Sequence, residues 1–137
     1  RPTEAEINRA REFLAEEDES KLPRRAHAYA RMTLELAEME SPESIILQAF
    51  RIGDVGITSI PCEVFCEIGL ELKQASPLKP TFTIELANGA NRYLPTPRQH
   101  ELGGYETWMG TNILEYTASD KITDALLEML KQVAEQK

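Results

Sequence analysis

No uninterrupted apolar run in this sequence approaches the ~18 residues that a membrane-spanning helix needs. Positive charge is short as well: 15 Lys and Arg stand against 23 Asp and Glu, a net charge of −8. Nucleic acid is bound through a cationic face that releases counterions from the phosphates, so this balance argues against such a partner. Cysteine is limited to two residues, too few for a disulfide scaffold. The chain opens Arg-Pro-Thr-Glu without a basic-then-apolar signal pattern, and reads as a mature product or a piece of something longer. Repeats and low-complexity tracts are missing. So are the self-sufficient catalytic signatures: there is no Gly-x-Ser-x-Gly, no phosphate-cradling Gly-rich loop with its Lys, no His-Glu-x-x-His and no pair of Cys-x-x-Cys.

What is present suits one globular unit. A length of 137 residues fits a single domain by the rough scale of about 100–200 residues each, and 42% hydrophobic residues exclude wholesale disorder. The first forty residues read as two helices. Thr3-Glu4-Ala5-Glu6 is a capping box, in which hydroxyl and carboxylate satisfy the orphan amides of a helix start. Ile7, Ala10, Phe13 and Leu14 follow at helical spacing. The acidic run Glu16-Glu17-Asp18-Glu19 reads as a solvated helix end. Leu22-Pro23 breaks the first helix and can open the second, whose apolar stripe is Ala28, Tyr29, Met32, Thr33 and Leu36. Ser41-Pro42-Glu43 is expected to stop it.

From Ser44 the period changes. Ile45–Ile52 and Val55–Ile60 are β-branched and apolar, and Gly53-Asp54 between them is hairpin chemistry. Pro61 closes the second strand. Glu63–Lys73 has helical spacing at Val64, Phe65, Ile68 and Leu72, and Thr81–Ala87 alternates as a strand. Strand, helix and strand in about thirty residues suggest a right-handed βαβ unit. Asn88 to Thr111 is expected to be a long loop, and loops of that length in small domains are commonly functional. A closing amphipathic helix carries Ile122, Ala125, Leu126, Met129, Leu130 and Val133.

The chemistry-bearing residues divide on position. Cys62 and Cys66, four apart on the expected helix, read as buried thiols rather than a metal pair. His27 reads as helix-packing or exposed, and His100 in the long loop as a surface histidine or a site residue. Ligands in open α/β sheets collect beyond the carboxyl ends of the strands, which is where Glu63 and the loop bearing Tyr93 fall. Glu63 is open to two readings at this point: a first-turn carboxylate answering the helix dipole, or a hard oxygen ligand for a metal.

Three segments carry a resemblance. Phe50-Arg51-Ile52-Gly53-Asp54-Val55-Gly56-Ile57 leading into Ile60-Pro61-Cys62-Glu63-Val64-Phe65, then Leu86-Ala87-Asn88-Gly89-Ala90-Asn91-Arg92-Tyr93-Leu94-Pro95-Thr96, then Gly103-Gly104-Tyr105-Glu106, resemble the C-terminal part of the catalytic domain in the neutral/alkaline (non-lysosomal) ceramidase family. The resemblance runs from about Ser44 to the C-terminus. It implies a zinc amidohydrolase that splits the N-acyl bond of ceramide, with Glu63 and Tyr93 as metal ligands and Tyr105 contacting the scissile amide. The family's other two zinc ligands are histidines of the N-terminal part. They have no counterpart here, because His27 and His100 lie outside the matching motifs. Cys62 stands where the family has Gly, and Ala90 and Arg92 replace Tyr and His beside the metal tyrosine.

The expected fold is therefore α+β (α/β-like): a mixed β-sheet with a βαβ unit, two N-terminal helices and one C-terminal amphipathic helix. Residues 1–40 form the helical pair and 44–137 the ceramidase-like βαβ and site loop of a single domain or fragment. The expected function is the C-terminal segment of a ceramidase-like, zinc-dependent amidohydrolase, inactive as an isolated chain. The expected partners are the N-terminal part of a parent catalytic domain and a lipid amide substrate, in a secreted or extracytoplasmic setting by resemblance alone. The competing expectation is a non-catalytic interaction module that retains the fold.

Overall fold

The computed structural model describes residues 1–40 and 44–136; the expected helix stop at Ser41-Pro42-Glu43 lies outside them. Five helices are found among the described residues: α1 (Glu4–Ala15), α2 (Ala26–Glu38), α3 (Cys66–Ala75), α4 (Pro97–Leu102) and α5 (Ala118–Glu135). The strands are β1 (Gln48–Ile52), β2 (Val55–Ile60), β3 (Glu63–Val64), β4 (Thr81–Glu85) and β5 (Tyr93–Leu94). The fold is α+β, with two N-terminal helices, a mixed sheet flanked by helices and a C-terminal helix, as the sequence periods imply.

The capping box forms as its spelling requires. The Thr3 hydroxyl accepts from the Glu6 amide, and the Glu6 carboxylate takes the Thr3 amide at 2.7 Å. A 3₁₀ turn at Glu19–Lys21 precedes Pro23, and helix α2 starts later than Pro23, at Ala26, because a left-handed Arg25 (φ 62°) intervenes. His27 is a helix-packing residue, its Nε2 2.9 Å from the Glu16 carbonyl and its Nδ1 3.1 Å from Glu19.

Strands β1 and β2 pair antiparallel across the Gly53-Asp54 turn, where Gly53 takes the left-handed backbone (φ 60°) that glycine tolerates. Pairing begins at Gln48 rather than Ile45. β2 and β4 then pair parallel through the α3 crossover, with order β1-β2-β4. This is the expected βαβ unit. α3 and α5 cover one face of this sheet. Ile60, Ile68, Leu72, Leu94, Ile122 and Leu126 bury together there, each fully buried side chain contributing about 1.5–3 kcal/mol against exposure. Gly56 lets α5 approach, since a Cβ at this position would sit 2.5 Å from Thr81 Oγ1 and 3.3 Å from Leu130. The opposite face leaves Phe50, Ile52, Phe82 and Ile84 exposed.

Two local expectations give way to tertiary bonding. Glu63 and Val64 do not start α3. They form β3, held by the Arg92 carbonyl accepting the Glu63 amide (2.9 Å) and the Glu85 carboxylate accepting the Val64 amide (2.9 Å). The helix begins at Cys66. Consequently Cys62 and Cys66 do not share a helix face: Cys62 is buried ahead of the helix and Cys66 is exposed at its first turn. The long expected loop also condenses, into β5, α4 and a 3₁₀ turn at Tyr105–Thr107. Thr96 caps α4 and Pro97 occupies its first turn.

Candidate functional site

Strands β3 and β5 run parallel with Glu63 in register opposite Tyr93. Neighbouring strands lie about 4.8 Å apart, and register partners project to the same face. That pairing alone brings the carboxylate beside the phenol. The Tyr93 hydroxyl then meets the Tyr105 hydroxyl at 2.8 Å, with the two rings edge to face at 85° and 5.4 Å between centroids. The three residues named from the sequence thus come together beyond the carboxyl ends of β2 and β4, Tyr93 bonded to Tyr105 and in register beside Glu63.

The electrostatics of the cluster follow from its contacts. The hydrogen bond with Tyr105, then the one with the Glu63 carboxylate, raise the Tyr93 pKa well above the usual phenol range. A phenolate at this position would sit beside a carboxylate, which like charges disfavour. Tyr93 is half-buried and Tyr105 is exposed, so the outer phenol faces solvent while the inner one is anchored.

The surroundings are tied down by residues that motif reasoning passed over. Arg92 has a left-handed backbone (φ 62°), and its guanidinium reaches the Gly110 carbonyl and stands 3.6 Å from Glu35 of α2. The Tyr93 amide donates to the Thr111 carbonyl at 3.2 Å. The Thr111 hydroxyl reaches the carbonyls of both Tyr105 and Trp108, the latter at 2.7 Å. Trp108 packs edge-on against Tyr29 of α2, centroids 5.4 Å apart. On the other flank Gln99 of α4 donates to Glu67 of α3 at 2.9 Å. Glu67 has its pKa lowered, first by a backbone amide at the start of α3 and then by Cys66. The Cys66 thiol is pushed up in turn, chiefly by its hydrogen bond to Glu67, which leaves it a poor nucleophile. No left-handed Arg or cross-element amide bond has a spelling in sequence.

The zinc expectation does not survive. Among the described residues there is no group of three or more His, Cys, Asp or Glu side chains that could hold a metal ion, whereas a catalytic zinc draws on three protein ligands. His27 is spent on Glu16 and Glu19. His100 stacks on Tyr116 at 5.1 Å and meets Asn112 at 3.3 Å. Glu63 and Tyr93 stand side by side in register, and the zinc, metal-binding and hydrolase assignment of this chain is withdrawn. No helix among the described residues is long and apolar enough to cross a membrane.

No protein-family model, curated protein or solved structure matches the chain.

Proposed function

We propose that this chain is the carboxylate–tyrosine segment of a ceramidase-like protein, and that Glu63, Tyr93 and Tyr105 form a polar surface for the amide of an N-acyl lipid. The chain does not hydrolyse that bond by itself. One observation carries the reading: three residues far apart in sequence, singled out by the resemblance, converge, with Tyr93 bonded to Tyr105 and standing in register beside Glu63. The exposed Tyr105 phenol, held by the half-buried Tyr93 hydroxyl beside Glu63, can exchange one hydrogen bond with a ligand's amide while Tyr93 stays in place. The remainder of such a site belongs to the N-terminal part of a parent catalytic domain.

Titration of N-hexanoyl-sphingosine in detergent micelles into the purified chain tests this. Expected are saturable binding, weakening on Tyr105→Phe or Glu63→Gln, and no release of hexanoate. Binding that ignores both substitutions, or none at all, overturns the reading.

The non-catalytic interaction module has one observation in its favour. Phe50, Ile52, Phe82 and Ile84 form an apolar face on the uncovered side of the sheet, and contiguous exposed apolar patches mark interaction surfaces. Binding of the lipid amide that depends on Tyr105 separates the two readings.

A further inference from the structure

We infer that Arg92 is the positioning residue of this site, setting the separation of the Tyr93 and Tyr105 hydroxyls; the inference deepens the amide-binding reading above. The two phenols come from different segments. Tyr93 belongs to β5, whereas Tyr105 opens the 3₁₀ turn that leads to Gly110 and Thr111. Arg92, next to Tyr93 in the chain, ties one to the other. Its carbonyl accepts the Glu63 amide at 2.9 Å, which sets the register that pairs Glu63 with Tyr93. Its guanidinium donates to the Gly110 carbonyl, next to Thr111, whose hydroxyl holds the Tyr105 carbonyl. A second guanidinium nitrogen lies 3.6 Å from Glu35, joining the same loop to α2. The guanidinium therefore ties the segment that carries the inner phenol to the loop that follows the outer one and to the helix behind them, while the Arg92 carbonyl holds Glu63.

The left-handed backbone at Arg92 (φ 62°) provides a clean variant. Glycine adopts this conformation without steric penalty, so Arg92→Gly removes the guanidinium while leaving the main chain at ease. Arg92→Lys keeps a charged donor that can reach a carbonyl as a point charge. Glu35→Gln removes the ion pair with α2 and spares the bond to Gly110.

The experiment uses protein labelled with ¹³C at the tyrosine Cζ, which gives four signals, one for each tyrosine. In Arg92→Gly the Tyr93 and Tyr105 signals are expected to move while Tyr116 stays in place. Arg92→Lys is expected to restore them in part, and Glu35→Gln to leave them unchanged. Affinity for N-hexanoyl-sphingosine in micelles should fall about tenfold in Arg92→Gly, the scale of one well-made hydrogen bond. Tyr93 and Tyr105 signals that stay put in Arg92→Gly overturn the inference. So does an equal shift of all four, which marks general loosening. If the unsubstituted chain fails to bind the lipid amide, the proposed function falls, and the tyrosine signals still decide the role of Arg92.

Discussion

The hydroxyls of Tyr93 and Tyr105 stand 2.8 Å apart on rings that meet edge to face. One comes from a two-residue strand and the other from a 3₁₀ turn. Elements this short have little stability of their own, since nucleating a turn or an isolated strand pair is unfavourable. The contact exists because the cross-strand register with Glu63 and the Arg92–Gly110 bond hold both segments against the sheet.

Tyr93 should titrate late. Its pKa is raised first by the bond with Tyr105 and then by Glu63. Tyr105→Phe removes the larger cause, so tyrosinate absorbance should place Tyr93 nearer the ordinary phenol value of about 10 without reaching it. The proton is held more tightly in the folded chain than in the unfolded one. The stabilisation is therefore complete below about pH 10 and lost as pH rises through the folded value. An alkaline limb of the stability curve unchanged by Tyr105→Phe would count against this.

Metal should leave the fold indifferent. A ligand that binds only the native state raises the melting temperature by mass action. With no three-donor group among the described residues, neither equimolar Zn²⁺ nor a chelator should move the thermal midpoint. A rise of several degrees on adding zinc would reinstate the metal.

Gly56→Ala should destabilise the whole fold. Its Cβ would enter the space between β2, Thr81 and Leu130 of α5, and overpacking a core of this kind costs about 1–3 kcal/mol. Urea unfolding at neutral pH measures it. The alanine change at Gly69, which meets nothing within 4 Å, is the control and should be neutral or stabilising, because glycine within a helix is itself unfavourable.

The start of α1 should loosen in acid. The Glu6 pKa is lowered, chiefly by the Thr3 amide and then by the Thr3 hydroxyl. A depressed carboxylate stabilises the fold above its unfolded value, near 4.3, and that contribution is lost as pH falls through the folded one. The exchange protection of the Glu6 and Ile7 amides, with the intrinsic pH dependence of exchange divided out, should fall below that range and be insensitive to pH above it. Thr3→Ala removes the hydroxyl and keeps the amide that bonds Glu6, so it should lower protection at every pH, for a loss of about 1 kcal/mol, and leave part of the acid dependence in place.

The sequence by itself determined the elements whose causes are local. A capping box begins α1 at Thr3, Gly53-Asp54 turns β1 into β2, and the 3.6-residue stripe of Ile122, Leu126 and Leu130 makes α5; α4 is missed, because Asn88 to Thr111 reads as a loop. Glu63, Tyr93 and Tyr105 are named together through a resemblance, not through periodicity or spacing. Tertiary structure decided the rest, because the deciding bonds join residues remote in sequence. The Glu63 amide bonds across to Arg92 and makes a strand where helical spacing pointed to a first turn. His27 and His100 are drawn into separate contacts with Glu16, Glu19, Asn112 and Tyr116, and among the described residues no metal group assembles. Periodicity records which face of an element is apolar; only packing decides which donor meets which acceptor.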